Sequence, residues 1–228
     1  MAARDYILGR IRWSLGRSSF EREEESLLNA RMSEPKANLI PKRAQLDHKA
    51  QVSLFVKMAK EVNATVSRLK SVDNIPRAVA KYLKDHELEN TVRLAEHEAL
   101  QGLDWSKLDA SFGVSYGDDL SSVVMAYAGA AETGSLALLS GAQNPTTLNF
   151  LPDNHIVVIR AEDIVGDYET VYARLRRESK EKDFMPRTLT WVSGPSRTAD
   201  IEQTLLLGAH GPRNLHILVV DEDHGEEG

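Results

Sequence analysis

Val192-Ser193-Gly194-Pro195-Ser196-Arg197-Thr198-Ala199-Asp200-Ile201-Glu202 is the stretch whose reading decides the fold of this chain. Leu189-Thr190-Trp191-Val192 has the β-branched and aromatic character of a strand. Gly194 and Pro195 end it. Thr198 is suited to cap a helix, with Asp200 and Glu202 in a first turn where carboxylates favour the positive helix end. The pattern predicts that this helix runs through Thr204-Leu205-Leu206-Leu207 and stops at Gly208. A second turn, Ala209-His210-Gly211-Pro212, leads into Leu215-His216-Ile217-Leu218-Val219-Val220, the nearly continuous apolar run that a buried parallel strand requires. Strand, helix and strand with polar turns between them predict an α/β sheet. In open parallel sheets ligands bind beyond the carboxyl ends of the strands, and the turn at 194–198 lies at such an end.

Outward from this segment, strands and helices alternate. Residues 46–62 carry a helical apolar face, 64–69 alternate as a strand, and Asn74 with Pro76 opens a helix bearing Val79, Tyr82 and Leu83. Short strands are predicted at 91–95, 112–114, 135–139 and 147–151, a helical turn at 104–108, and a buried strand at 155–159. Val123-Val124-Met125-Ala126-Tyr127-Ala128-Gly129-Ala130-Ala131 is small and apolar, which lets backbones approach closely. Residues 167–182 read as a surface helix. The compact domain is placed at 45–224. Residues 1–44 form an N-terminal arm, with a short amphipathic helix at 5–15 and a polar linker at 18–41. Such a helix is marginal in water unless some surface holds it, so the arm is either a flexible tail or a partner-docking element.

The chain has 228 residues, 42% hydrophobic and 27% charged, with a net charge of −6. That composition suits a soluble α/β domain with an appendage, and it lacks the basic stripe of a nucleic-acid binder. No apolar run approaches the ~20 residues of a membrane helix, and the N-terminus does not read as a secretory signal, so a cytoplasmic location is expected. There is no cysteine, which excludes disulfides, thiol nucleophiles and thiolate-held iron–sulfur clusters on this chain. No Gly-x-Gly-x-x-Gly follows a strand, and no Gly-x-Ser-x-Gly elbow occurs.

Gly194-Pro195-Ser196-Arg197-Thr198-Ala199-Asp200-Ile201-Glu202 with Gly208-Ala209-His210-Gly211-Pro212 resembles the C-terminal signature of the lactate-utilisation (LUD) domain family. Ala131-Glu132-Thr133-Gly134-Ser135-Leu136 and Leu151-Pro152-Asp153-Asn154-His155-Ile156 resemble a second signature. Within that family the chain is similar to the LutC/YkgG-type proteins, strongly over its C-terminal half and by general layout over the rest. Ser135 and Ala209 stand where Thr and Val are common. The resemblance implies a NagB/RpiA/CoA-transferase-like fold with a largely parallel sheet and flanking helices. It also implies a cluster-free subunit in a system that oxidises L-lactate to pyruvate, with iron–sulfur clusters on partner subunits and no cofactor of its own. The absence of cysteine agrees with that role. Two alternatives stand beside it: a separate superfamily enzyme, such as an acyl-CoA transferase or sugar-phosphate isomerase, or a non-catalytic interaction or regulatory protein.

Glu132, between a small apolar run and a strand, is the candidate catalytic carboxylate, since the resemblance extends to CoA transferases with a glutamate nucleophile before a glycine turn. The alternative is a Glu that hydrogen-bonds neighbouring backbone. Thr133 and Gly134 beside it are candidate ligand contacts. Ser196, Arg197 and Thr198 suggest an anion cradle of two hydroxyls, a guanidinium and helix N–H groups, suited to a small carboxylate. The alternative is a helix cap with Arg197 paired to Asp200 or Glu202. His210 is flanked by a glycine turn with room for a ligand, although strand–helix–strand geometry puts it at the opposite sheet edge from Ser196. His155 and His216 read as satisfied core or edge histidines, and the three histidines have no metal spacing.

Overall fold

The computed structural model describes residues 3–16, 22–33, 36–178, 185–199, 205–208 and 210–221. It divides into a unit Met1–Leu39 and a unit Ile40–Gly228. The first holds α1 (Ala3–Ser14) and α2 (Arg22–Ser33). Thus a second helix occupies part of the segment predicted as linker. No residue of α1 is buried, and Trp13 is 85% exposed.

The second unit runs α3 (His48–Glu61), β1 (Thr65–Leu69), α4 (Ile75–Asp85), β2 (Thr91–Leu94), α5 (Glu98–Gln101), β3 (Asp109–Phe112), β4 (Ser121–Met125), β5 (Ala128–Ala130) and β6 (Ser135–Leu139). It continues with β7 (Asn154–Arg160), β8 (Ile164–Val165), α6 (Tyr168–Glu178), β9 (Leu189–Val192), β10 (Arg197–Ala199), β11 (Leu205–Leu207) and β12 (Asn214–Val220). Asp47 caps α3 by accepting from the Ala50 amide at 3.0 Å, which satisfies one of the otherwise unpaired first-turn donors. Pro76 opens α4, whose inward stripe includes Val79, Tyr82 and Leu83 as predicted.

Six strands form the main sheet in the order β1-β12-β7-β4-β2-β3, and every pairing in it is parallel. This is the largely parallel α/β architecture expected from the sequence. Its central strands β4 and β7 and the body of β12 are buried, as apolar runs covered on both faces must be. Fully burying Ile156, Ile159, Ile217 and Leu218 contributes about 2 kcal/mol apiece. A second, mixed sheet has the order β8-β5-β6-β9.

Three local readings are corrected. The helix predicted from Thr198 to Leu207 is replaced, over its described residues, by a hairpin in which β10 pairs antiparallel with β11. Residues 200–204, with Asp200 and Glu202, lie outside the described residues. A short Leu-Leu-Leu run bounded by Gly208 carries no periodicity that separates helix from strand, and pairing with residues 197–199 settles it. The extended piece predicted at 147–151 contains a 3-10 turn, Thr146–Asn149. The helical turn predicted at 104–108 falls earlier, as α5.

Helix α3 touches both sheets and is approached by glycines. An ideal Cβ on Gly134 (φ +66) would stand 2.2 Å from the Ala59 amide nitrogen, and one on Gly194 (φ +79) would stand 2.2 Å from the Val62 carbonyl oxygen. Gly129 meets the Phe55 ring at 2.9 Å by the same measure. We expect Gly134→Ala to cost on the order of 3 kcal/mol, from backbone overlap plus a positive φ. Gly141→Ala, which would meet nothing within 4 Å, should be near neutral. Urea unfolding of both variants measures the difference.

Candidate functional site

At the amino ends of β7 and β12, where Leu215 pairs with His155, lies a cavity of about 390 Å³. It sits at the amino-terminal end of the main sheet and at the carboxyl end of β9, whose following turn is where the sequence placed a ligand. One wall is the end of β9 and the turn after it, from Thr190 to Arg197; the facing wall is His210, Gly211 and Pro212. Asn149 and Phe150 close a third side.

The two walls are tied through Ser196. Its amide donates to the Pro212 carbonyl at 2.8 Å, and its carbonyl accepts from the Gly208 amide at 3.1 Å. The β10–β11 hairpin therefore returns the chain to its own starting point. A helix there would have carried His210 to the far edge; the hairpin instead sets Ser196, Arg197 and His210 around one space. The anion cradle consequently has no helix N–H groups in it. Thr198 is placed in β10 opposite Leu206, and its side chain lies outside the described residues. Arg197 donates from Nη2 to the Val62 carbonyl at 3.3 Å, at the C-terminus of α3 where a cation is favoured. A guanidinium carries five donors, and among the described residues the bond to Val62 is the one that Arg197 makes.

Glu132 lies apart from this space. It is 7% exposed, and its Oε1 accepts from the Tyr168 amide at 3.2 Å, at the start of α6. Asp167 caps the same helix by accepting from the Thr170 amide at 2.8 Å. Two carboxylates thus meet the positive end of α6. Gly134 is buried against α3 rather than open to the cavity. Thr133 is linked indirectly: Thr133, Ser135 and Tyr168 exchange hydroxyl hydrogen bonds of 2.8 Å, and Ser135 continues at 2.5 Å to Ser193, which lines the cavity. Trp191, also lining it, is held edge-on to Tyr168 at 4.3 Å.

Two residues that the sequence did not mark as site candidates line the cavity as well. His155 is 1% exposed, yet neither ring nitrogen has a hydrogen-bond partner among the described residues. Asn149, 2% exposed, has an unpartnered Oδ1. Buried polar atoms in native proteins are rarely left so. Burial pushes the His155 imidazole down to about 3, so it is neutral at physiological pH. The signal available was the polar pair Asn154-His155 opening an otherwise apolar strand. His216 differs: Thr65 Oγ1 lies 2.7 Å from its Nδ1, and its ring stacks on Tyr82 at 4.2 Å.

With this geometry in place, residues 120–220 match the model of the LUD domain. That stretch is similar to the LUD domain. An uncharacterised protein of Neisseria meningitidis is 37% identical over 43% of this chain and 41% of its own length. The uncharacterised protein YkgG of Escherichia coli is 26% identical over 78% of this chain and 83% of its own. Lactate utilization protein C of a Geobacillus species is 33% identical over 40% of this chain and 38% of its own. The chain thus spans about two-fifths of the Neisseria and Geobacillus proteins. The fold is similar to that of a DUF162 family protein from Deinococcus radiodurans, with a TM-score of 0.56 and 23% identity over 77% of this chain and 99% of that one. The LUD match includes every cavity residue from Asn149 to Leu215 and also the Glu132 turn.

Two buried histidines, His155 and His216, set a pH dependence. Burial lowers His155 to about 3 and His216 to about 4, both below an unfolded value near 6.5. The unfolded chain then binds protons that the folded chain refuses. Their contribution is complete above pH 6.5 and is lost as the pH falls towards 4 and 3. By pH 5 the loss should be on the order of 2 kcal/mol per histidine. Urea titrations at pH 7, 6 and 5 should show it, and His155→Phe should flatten the slope.

Proposed function

We propose that this chain is a component of a lactate-utilisation system and that the cavity between Ser196 and His210 binds a small hydroxycarboxylate. The relatives named lactate utilization protein C support the first part of this reading. For the second part, the observation that carries it is the buried, unpartnered imidazole of His155 beneath a polar rim.

The rim supplies groups suited to an anion: the Arg197 guanidinium, the Ser196 and Ser193 hydroxyls and the His210 imidazole. The floor supplies the opposite. A neutral imidazole offers one donor and one acceptor, and an amide oxygen offers only an acceptor. A carboxylate satisfies the rim but gives the Asn149 oxygen nothing. A hydroxyl on the adjacent carbon gives it a proton donor and serves His155 in either tautomer. The arrangement therefore matches a 2-hydroxy acid such as L-lactate better than the 2-oxo acid pyruvate, which has no donor on that carbon.

The chain has no cysteine, so electron transfer by thiolate-held clusters would belong to iron–sulfur partner subunits. In this reading the chain binds and orients substrate or organises the assembly. Glu132 acts as a positioning residue that fixes α6 and, through Tyr168, the hydroxyl chain leading to Ser193.

Isothermal titration of the purified chain with L-lactate and with pyruvate tests the proposal. We expect tighter binding of lactate and about a tenfold loss on Arg197→Ala, the magnitude of a charge-assisted contact. His155→Phe should weaken lactate more than pyruvate, whereas Glu132→Ala should leave affinity within about threefold and lower stability by about 1 kcal/mol, as for a lost helix cap. Equal affinity for both acids in wild type and both cavity variants would contradict the assignment.

A further inference from the structure

A second cavity, of about 510 Å³, lies between β1 and α4. We propose that it is a docking groove for an acidic, extended segment of a partner protein, which adds to β1 as a further strand. The proposal is independent of the hydroxycarboxylate reading.

β1 ends the main sheet, and no described strand lies on its outer side. The Leu69 carbonyl accepts from the Asp221 amide next to β12. In a strand, alternate residues direct both backbone groups to the same side, so Thr65, Ser67 and Leu69 serve β12. Val66 and Arg68 then direct their N–H and C=O groups outward, where an added strand would meet them. The groove is lined on the strand side by residues 67–70, and on the helix side by Arg77, Lys81 and Tyr82 among others. A strand edge facing a helix is the geometry by which extended peptides are captured through main-chain hydrogen bonds.

Charge states what the segment carries. The chain has a net charge of −6, yet this groove is lined by Arg68, Lys70, Arg77 and Lys81 against one carboxylate, Asp85. Arg68 is paired with Asp221, and Lys81 with Asp85. Lys70 and Arg77 are exposed and have no ion pair among the described residues. The cations do not converge on a point. Arg77 and Lys81 sit about 6 Å apart along the axis of α4, and Arg68 and Lys70, the latter just past the end of β1, about 7 Å apart along the chain. Such a two-walled row suits spaced carboxylates along an extended chain better than a single phosphate.

The test uses the full chain and a fluorescein-labelled decapeptide of alternating Glu and Val, at low salt. Fluorescence anisotropy should show saturable binding, with none for the Lys-Val counterpart. The double variant Lys70→Glu/Arg77→Glu, checked by an unchanged urea midpoint, should bind at least about tenfold more weakly, as expected when like charges are juxtaposed. Amide hydrogen exchange at Val66 and Arg68 should slow when the peptide binds. Absence of binding, or binding that leaves those two amides unprotected, would overturn the proposal. Displacement by tripolyphosphate as efficient as by unlabelled peptide would reassign the groove to small anions. Concentration-dependent self-association abolished by the double variant would reassign the edge to a second copy of the chain.

Discussion

The close approach of glycine backbone to the C-terminal half of α3 is the constraint on which the rest of the domain depends. Gly134 lies in the turn between β5 and β6 and Gly194 in the turn after β9, and an ideal Cβ on each would stand 2.2 Å from backbone, of Ala59 in α3 and of its C-cap residue Val62 respectively. The Gly129 position allows the Phe55 ring to enter between the sheet and the helix. These contacts let one helix bridge the main and second sheets. They also explain why the two segments that carry the LUD resemblance contain glycine where they do. The Glu-Thr-Gly turn rests on the α3 backbone at Met58 and Ala59, and the Gly-Pro-Ser turn rests on Val62.

The same constraint positions the cavity. With Gly194 fixed on Val62, Arg197 reaches the Val62 carbonyl, and Ser196 is presented to Pro212. The hairpin closes on that fixed point, which brings His210 alongside. Glu132 acts at one remove: it holds the start of α6, whose Tyr168 is tied to Ser135 and thence to Ser193 at the cavity wall. The site is thus assembled from a rigid helix end, a hydroxyl network and the amino ends of two parallel strands.

The sequence made the architecture legible where burial is two-sided. The apolar runs at 156–159 and 215–220 could only be central strands, and the stripe of Val79, Tyr82 and Leu83 could only be a covered helix face. It was misleading at 198–207, because three leucines beside a capping Thr satisfy a helix and a hairpin equally. That single local choice decided whether Ser196 and His210 share a space. His155 was hidden for a different reason. A histidine in an apolar run reads as a satisfied core residue, and only three-dimensional neighbours reveal that its nitrogens lack partners. Ser193 and the hydroxyl chain behind it depend on contacts 33 to 58 residues apart, beyond any local pattern.

The central claim is that His155 faces a ligand. Its most direct test is long-range proton–nitrogen correlation on the protein labelled with ¹⁵N-histidine, with and without L-lactate at neutral pH. The account predicts that the His155 ring nitrogens remain those of a neutral imidazole and shift as lactate saturates, while those of His216, held by Thr65, stay in place. Saturating lactate that leaves the His155 resonances unmoved would contradict it.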